Sequence, residues 1–506
     1  MKQAAWLAAM VAVALAIGGG AQAAAPTAIT IGHDAVGTLD PTLVAVTGDQ
    51  LDIAQQMFAG LTKWDVRTRQ LDLQLAKSYD VSPDLKTWTY KLQSAKWSDG
   101  TPITAGDEVF AVARAQDPAL TGDTANFFRD LIASVTALDK KTVQFQLKRP
   151  AAFFPAVLTN PAMWPLPQQV VTADGAAWTD PANIVVSGAY TLASRTASSI
   201  VLQSNPRYFG KTSIDTVTYA LGDPSTFADA YAAGQLDYFA AGFNTPGLAE
   251  IEADPRLTPD LVTSFGALTE LLVFNPVVGS TTNVDVRRAL SAATDRARIA
   301  GAALGDASFA ATTFTAPPIF GAVPPSAGIG IGFDPAAALA DRDAAGAAFP
   351  SSVTIRYSQG NTRRQREAAI LKEDWERIFG PGFTVNLDPE PASIAIGSLF
   401  NPDPNAQADV TMVAWSPDYP DADDAVNDGT RNVQTRWSNP QFDAATADAA
   451  ATLDPAVRQA DYANAERIVT ETDAVVAPVY YSADAYVHKP FLDVVGSRIE
   501  DWTVTP

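Results

Sequence analysis

Short runs with a period of two alternate along this chain with stretches of helical spacing. TAITIGHD (Thr27 to Asp34) alternates small and β-branched residues and predicts a strand, and Leu51 to Leu61 carries apolar residues at helical intervals. WTYKLQ (Trp88 to Gln93) and TVQFQLK (Thr142 to Lys148) predict strands, with a helix over Gly106 to Ala115 behind the cap Thr104. SIVLQSNP (Ser199 to Pro206), TVTYAL (Thr216 to Leu221) and LDYFAAG read as strands, and Thr226 to Gly234 as a helix ended by its glycine. NVDVRRALSAATDRARIAGAAL predicts one long helix, VTIRYS (Val353 to Ser358) a strand, Arg363 to Ile378 a helix, and VTMVAW an apolar strand. Asp454-Pro455 caps a helix to about Thr470, and VVAPVYYSADAYV returns to strand. The Pro-, Gly- and Ala-rich stretch Thr315 to Pro350 reads as a loop plus a short helix. The class expected is α/β with mixed sheets.

Length adds that 506 residues exceed one ordinary core, so two or three domains are expected. With 47% hydrophobic and 18% charged residues the chain is globular in composition. Met1 to Ala25 has a basic start at Lys2, an apolar run from Ala4 to Ile17 and the small-residue site Ala21-Gln22-Ala23, the pattern of a secretory signal. The absence of cysteine excludes disulfides and a cysteine-linked lipid anchor, so the expected location is the periplasm. A net charge of −21 disfavours nucleic acid and anionic membranes and favours cationic or zwitterionic ligands.

Candidate chemistry narrows quickly. GIGIGF (Gly328 to Phe333) follows Pro-Pro-Ser, not a strand, and is expected to be a loop leading to the helix start Asp334-Pro335. There is no cysteine and no G-x-S-x-G elbow; His33 and His488, the only histidines, are expected to be structural, and neither has a second histidine at zinc-binding spacing. No cofactor and no metal is expected. What stands out is AWSPDYPDADD (Ala414 to Asp424), with four carboxylates crowded around a Trp and a Tyr. An EF-hand loop begun at Asp421 fails at Ala425 and Val426; another calcium site, a glycosidase carboxylate pair and a solvated acidic loop stay open. Asp418, at the end of a strand and beside Trp415 and Tyr419, would demand a cation if buried.

Collinear motifs then carry a resemblance. LDPTLV (Leu39 to Val44), QQMFAGLTKWD (Gln55 to Asp65), KWSDGTPITAGDEVF (Lys96 to Phe110), WTDPANIVVSGAYTL (Trp178 to Leu192), VDVRRALSAATDR (Val284 to Arg296), AWSPDYPDADD and APVYYSADAYVHKP (Ala477 to Pro490) occur in order. The chain resembles the periplasmic oligopeptide-binding proteins of ABC importers, the extracellular solute-binding proteins of family 5.

The resemblance implies a two-lobed periplasmic-binding-protein fold with three domains and a ligand cleft at the hinge. Its division here would be a signal peptide at 1–23, a discontinuous lobe-one domain at 24–50, 175–265 and 488–506, an inserted domain at 51–174, and a lobe-two domain at 266–487. It implies no catalysis, a short peptide ligand, membrane permease subunits as partners, no nucleic acid, and a monomer. A peptide would lie extended, its main chain paired with strands at Val44, Ala45, Val46, Thr47 and Gly48 and at Ala414, Trp415, Ser416, Pro417 and Asp418, beside Tyr419. Asp418 matches the family Asp that pairs with the peptide's ammonium. Two departures follow: Met412 stands where a basic residue can meet a peptide carboxylate, and ELLVFNP (Glu270 to Pro276) replaces a polar, Tyr-rich pattern, implying more apolar side-chain pockets. The same family also binds nickel complexes, opines, sugars and other small solutes.

Overall fold

The computed structural model describes residues 28–47, 51–122, 124–241, 248–305 and 309–504. The leader Met1 to Ala25, Gly48, and the side chains of Ala45, Val46 and Thr47 lie outside what is described.

Local chemistry starts several helices at an Asx-Pro pair, because the Asx oxygen accepts the first free N–H groups and proline needs none. Asp334 accepts from Ala336 N at 2.9 Å and Ala337 N at 3.1 Å ahead of Pro335–Ala345. Asp454 does the same for Pro455–Arg467, and Asn439 for Pro440–Ala450. Thr104 and Asp107 form a reciprocal capping box on Ala105–Ala115.

The sheets position the site. An eleven-stranded sheet runs through the molecule in the order Thr384–Glu390, Ser352–Ser358, Val410–Trp415, Leu261–Phe274, Val476–His488, Tyr238–Ala241, Ala28–His33, Thr216–Leu221, Ser199–Ser204, Tyr190–Arg195, with Phe309–Ala310 paired to Val476–His488. Its longest ladder is the antiparallel pair Leu261–Phe274 and Val476–His488. The register of that pair shifts between Phe265 and Thr269. Gly266 sits in the shift, and a Cβ there would lie 2.1 Å from Ser482 Oγ, so the strands cross this closely only with glycine.

A separate four-stranded antiparallel sheet, in the order Ala76–Val81, Thr87–Leu92, Thr142–Leu147, Ile132–Asp139, packs Trp88, Tyr90 and Phe145 against Phe154 and the helix Ala105–Ala115. The other cores lie on either side of the large sheet.

Four expectations are corrected. Val44 to Thr47 is helical, in Pro41–Thr47, and supplies no strand: Asp40 Oδ1 accepts from Thr42 N at 3.0 Å, Leu43 N and Val44 N bond Asp40 O, and Pro41 has its φ preset for the first turn. The strand expected to reach Asp418 ends at Trp415, before Pro417, which has no N–H to give a ladder. Asn283 to Leu304 is two helices, Val284–Ala292 and Arg296–Leu304, because Asp295 turns its carboxylate onto Arg298 N at 3.0 Å and starts the second. Glu270 to Asn275 is buried in the core, so ELLVFNP does not line the cavity described below; Glu270 instead accepts from Arg364 Nε at 2.8 Å.

Candidate functional site

The loop after Val410–Trp415 sorts its carboxylates by what consumes them. Asp421 is buried and accepts Arg458 Nη2 on both oxygens at 2.9 Å, with Arg458 lying 4.6 Å over the Phe320 ring. That is a structural ion pair, needed because an unpaired buried charge is costly. Asp423 is buried and accepts from the Tyr419 hydroxyl at 3.1 Å; burial, then the Asp428 charge, push it up to about 8. Asp424 closes the loop on itself, accepting from Trp415 Nε1 at 3.0 Å and from Asp418 N at 2.8 Å. Burial and the neighbouring Asp418 and Asp428 raise its pKa well above the usual carboxylate range.

Asp418 is the exception. Its carboxylate makes no hydrogen bond or ion pair with the described residues, although its backbone is pinned by Asp424 and by Asn160 Nδ2, which donates to Asp418 O at 3.3 Å. It is reached by solvent yet sits in a recess of protein, and that desolvation, followed by the Asp428 carboxylate, pushes it up to about 6. The carboxylate is thus reached by solvent and left without a side-chain partner among the described residues.

The recess opens into a cavity of about 920 Å³ walled from two sides. From the large-sheet side come Phe400, Trp415, Asp418, Asp424, Asn427, Asp428 and Arg431; from the small-sheet unit come Phe127, Asp130 and Arg149. The loop is anchored across this gap by Tyr419, buried, stacked on Phe153 at 5.8 Å and packed on Phe127 at 5.6 Å. Residues 423–429 form a π-helical turn, which carries Asp428 and Asn427 into the cavity wall. Gly429 lets it approach: a Cβ there would meet Phe314 Cζ at 2.8 Å and the Trp415 ring at 3.1 Å.

One backbone feature matters as much. The strand Val410–Trp415 pairs with Ser352–Ser358 only at Val410 and Thr411. On that side its last residues, including Ala414 and Trp415, have no strand partner among the described residues, and an extended main chain could add there.

The structure thus brings together Asp418, Trp415, Asp424 and Asp428. Ser416 and Pro417 belong to the same loop but are absent from the cavity wall, and Tyr419 faces the anchor. Val44 is buried and lies outside the wall. Sequence reasoning missed Asp428, Asp130 and Arg149, which no motif marks. Met412 is buried in the core, 1% exposed, and can meet no ligand. His33 is elsewhere, bonded to Asp52 Oδ1 at 3.1 Å; burial opposes its charge but Asp52 and Asp34 hold it up to about 9. His488 bonds the Lys489 carbonyl at 3.0 Å. Among the described residues no cluster of three or more His, Cys, Asp or Glu has metal-binding geometry, and no helix is long and apolar enough to cross a membrane.

Comparison with known proteins gives three consistent findings. The model of the bacterial extracellular solute-binding proteins, family 5, matches residues 70–436. The periplasmic oligopeptide-binding protein OppA of Salmonella typhimurium is 28% identical, over 90% of this chain and 87% of its own, and the periplasmic murein peptide-binding protein MppA of Escherichia coli is 28% identical over 91% and 88%. The probable deoxycholate-binding periplasmic protein YgiS of Escherichia coli is 26% identical over 91% and 89%. Among solved structures, the unliganded open form of MppA superposes with a TM-score of 0.78 at 25% identity over 95% of this chain and 98% of that one. Haemophilus influenzae OppA in complex with the peptide RPPGFSPFR gives 0.70 at 25% identity over 96% and 100%.

Proposed function

This chain belongs to the bacterial extracellular solute-binding proteins of family 5, and from that premise we propose that its inter-lobe cavity takes the free amino terminus of a short peptide at Asp418. The protein is a receptor and not an enzyme: it binds short peptides and delivers them to a membrane ABC importer. Its place is the periplasm, and the working unit is a monomer that meets permease subunits and no nucleic acid. The lobes are those expected from the resemblance, 24–50, 175–265 and 488–506 with 51–174 inserted, against 266–487, hinged where the two central strands shift register. Closure about that hinge encloses the ligand.

One observation carries the reading: an otherwise unpaired carboxylate, Asp418, on the wall of a 920 Å³ cavity that both lobes line. An ammonium supplies the opposite charge for a carboxylate that its recess and Asp428 both raise. The open edge at Ala414 and Trp415 adds a second support, since main-chain pairing gives affinity without reading side chains. A bile-acid anion, the ligand named for one relative, is disfavoured by a wall carrying Asp130, Asp418, Asp424, Asp428 and Asp443.

The test is native mass spectrometry of the mature protein against two pools of three- to five-residue peptides, one with free amino termini and one N-acetylated. Retention from the free pool alone is expected. Retention from neither, by folded and ligand-free protein, would move the ligand to a non-peptide solute such as another amine, a sugar, an opine or a nickel complex.

A further inference from the structure

Met412 is buried, so the ligand's carboxylate must be met from elsewhere or not at all. Asp130, Asp418, Asp428 and Asp443 line the cavity and disfavour a second carboxylate beside them. Two cations line the wall. Arg431 is committed: its Nη2 bonds Asp443 at 2.7 Å and its Nε bonds Asn427 at 2.8 Å. Arg149 is different. It makes no ion pair and no hydrogen bond through its guanidinium with the described residues, and its Cζ lies 5.1 Å from the Phe153 ring centroid. Cation–π contact of this kind holds a guanidinium without using its N–H groups.

Arg149 is also well braced. The segment bearing it is tied down at Lys148 N to Leu131 O (2.9 Å), at Ala151 N to Leu85 O (3.3 Å) and at Ala152 N to Ala450 O (2.9 Å), the last across to the other lobe. Phe153 in turn stacks on Tyr419, the residue after Asp418. The positive charge of Arg149 reaches into the acidic side, where it opposes the upward shifts of Asp428 and Asp423. A preorganised donor fork on the small-sheet unit therefore shares one cavity with a free carboxylate on the other wall.

We propose that Arg149 receives the α-carboxylate of a short peptide whose amino terminus is held at Asp418, so that the ligand is a zwitterion spanning the two lobes. This rests on the peptide reading above and adds to it a length limit, because both termini must fit within one cavity of about 920 Å³. A ligand of that kind draws the lobes together through its own two charges, and longer or C-terminally blocked peptides forfeit one of them.

Titration calorimetry with matched tripeptides, one ending in a free acid and one in an amide, both with free amino termini, tests this on the wild type, Arg149→Gln and Arg149→Lys. Amidation is expected to weaken wild-type binding ten- to a hundredfold, the range for a charge-assisted hydrogen-bonded pair. Arg149→Gln should weaken the free acid by a similar factor and leave the amide within threefold, with Arg149→Lys recovering part of the loss. Wild-type affinities within threefold for acid and amide would overturn the assignment while leaving the peptide reading intact. So would an equal loss on both ligands in Arg149→Gln, which would make Arg149 a partner of Asp428 in lobe closure. Binding of neither tripeptide by the wild type would remove the peptide reading, and this inference with it.

Discussion

Two acidic turns in this molecule spend their carboxylates in opposite ways. In KWSDGTPITAGD, Asp99 accepts from Thr101 N at 2.8 Å and Thr101 Oγ1 at 2.7 Å, and Asp107 from Thr104 N at 2.8 Å and Thr104 Oγ1 at 3.0 Å. These partners lie within three residues, with Trp97 and the Gln168 backbone adding to Asp107, and the turn is scaffold. In SPDYPDADD the consumers are partly remote. Arg458, 37 residues on, takes Asp421; Trp415 and the Asp418 amide take Asp424; the Tyr419 hydroxyl, fixed by Phe153 and Phe127, takes Asp423. Asp418 is left over. A carboxylate becomes a site when the backbone around it is satisfied without it and no side chain of the fold takes it up.

That contrast can be broken most violently at Arg458. Arg458→Met strands Asp421 in the core, and removing one partner of a buried pair costs about 3–5 kcal/mol. Thermal unfolding should show a larger loss for this variant than for any substitution at Asp418 or Asp107, with binding lost as a consequence of the disordered loop. An unchanged melting temperature would mean that Asp421 is hydrated and the sorting of carboxylates is wrong.

Asp418→Asn should do the reverse. The variant keeps the loop, relieves repulsion with Asp428, and leaves the ligand-free protein at least as stable, while peptide affinity falls about a hundredfold. A loss under threefold would exclude Asp418 as the ammonium partner. The pH dependence sharpens the point. Asp418 is raised to about 6, so on its own account the ligand-free protein gains stability as pH falls through that value. Only the ionised form pairs with an ammonium, so affinity falls as pH drops below about 6, approaching tenfold per unit until the usual carboxylate range is reached. Calorimetry between pH 7 and 4.5 should show this slope in the wild type and lose it in Asp418→Asn.

What was legible followed the same line between local and remote partners. The Asp334-Pro335 and Asp454-Pro455 helix starts, the capping box at Thr104 and the period-two strands could be read because their partners lie within a turn of chain. Asp40-Pro41 carries the same helix signature, and it decides the conformation of Pro41–Thr47 against the strand that the resemblance implies there. Asp295 likewise could have been read as a cap dividing the long helical stretch. The ranking of Asp418, Asp421, Asp423 and Asp424 was not legible, since it depends on Arg458, Phe127 and Phe153, residues brought near only by the fold. Arg149 carries no local mark at all. Its standing comes from Phe153 beneath it and from the absence of any other uncommitted cation on the described cavity wall.

The smallest expected effect tests the other half of the comparison. Asp107→Ala removes the capping-box acceptor from Thr104 N and Thr104 Oγ1. Loss of such a cap costs about 1 kcal/mol, or roughly 2–4 °C in the melting temperature for a unit of 150–250 residues. The offset is that burial raises Asp107 above its usual range, so part of its hydrogen-bond gain is already spent on desolvation. Peptide affinity should stay within twofold, because the helix Ala105–Ala115 contributes no residue to the cavity wall. A binding loss larger than the stability loss would mean that the small-sheet unit transmits strain to Arg149 and Phe153, and that the scaffold turn and the site turn are mechanically one.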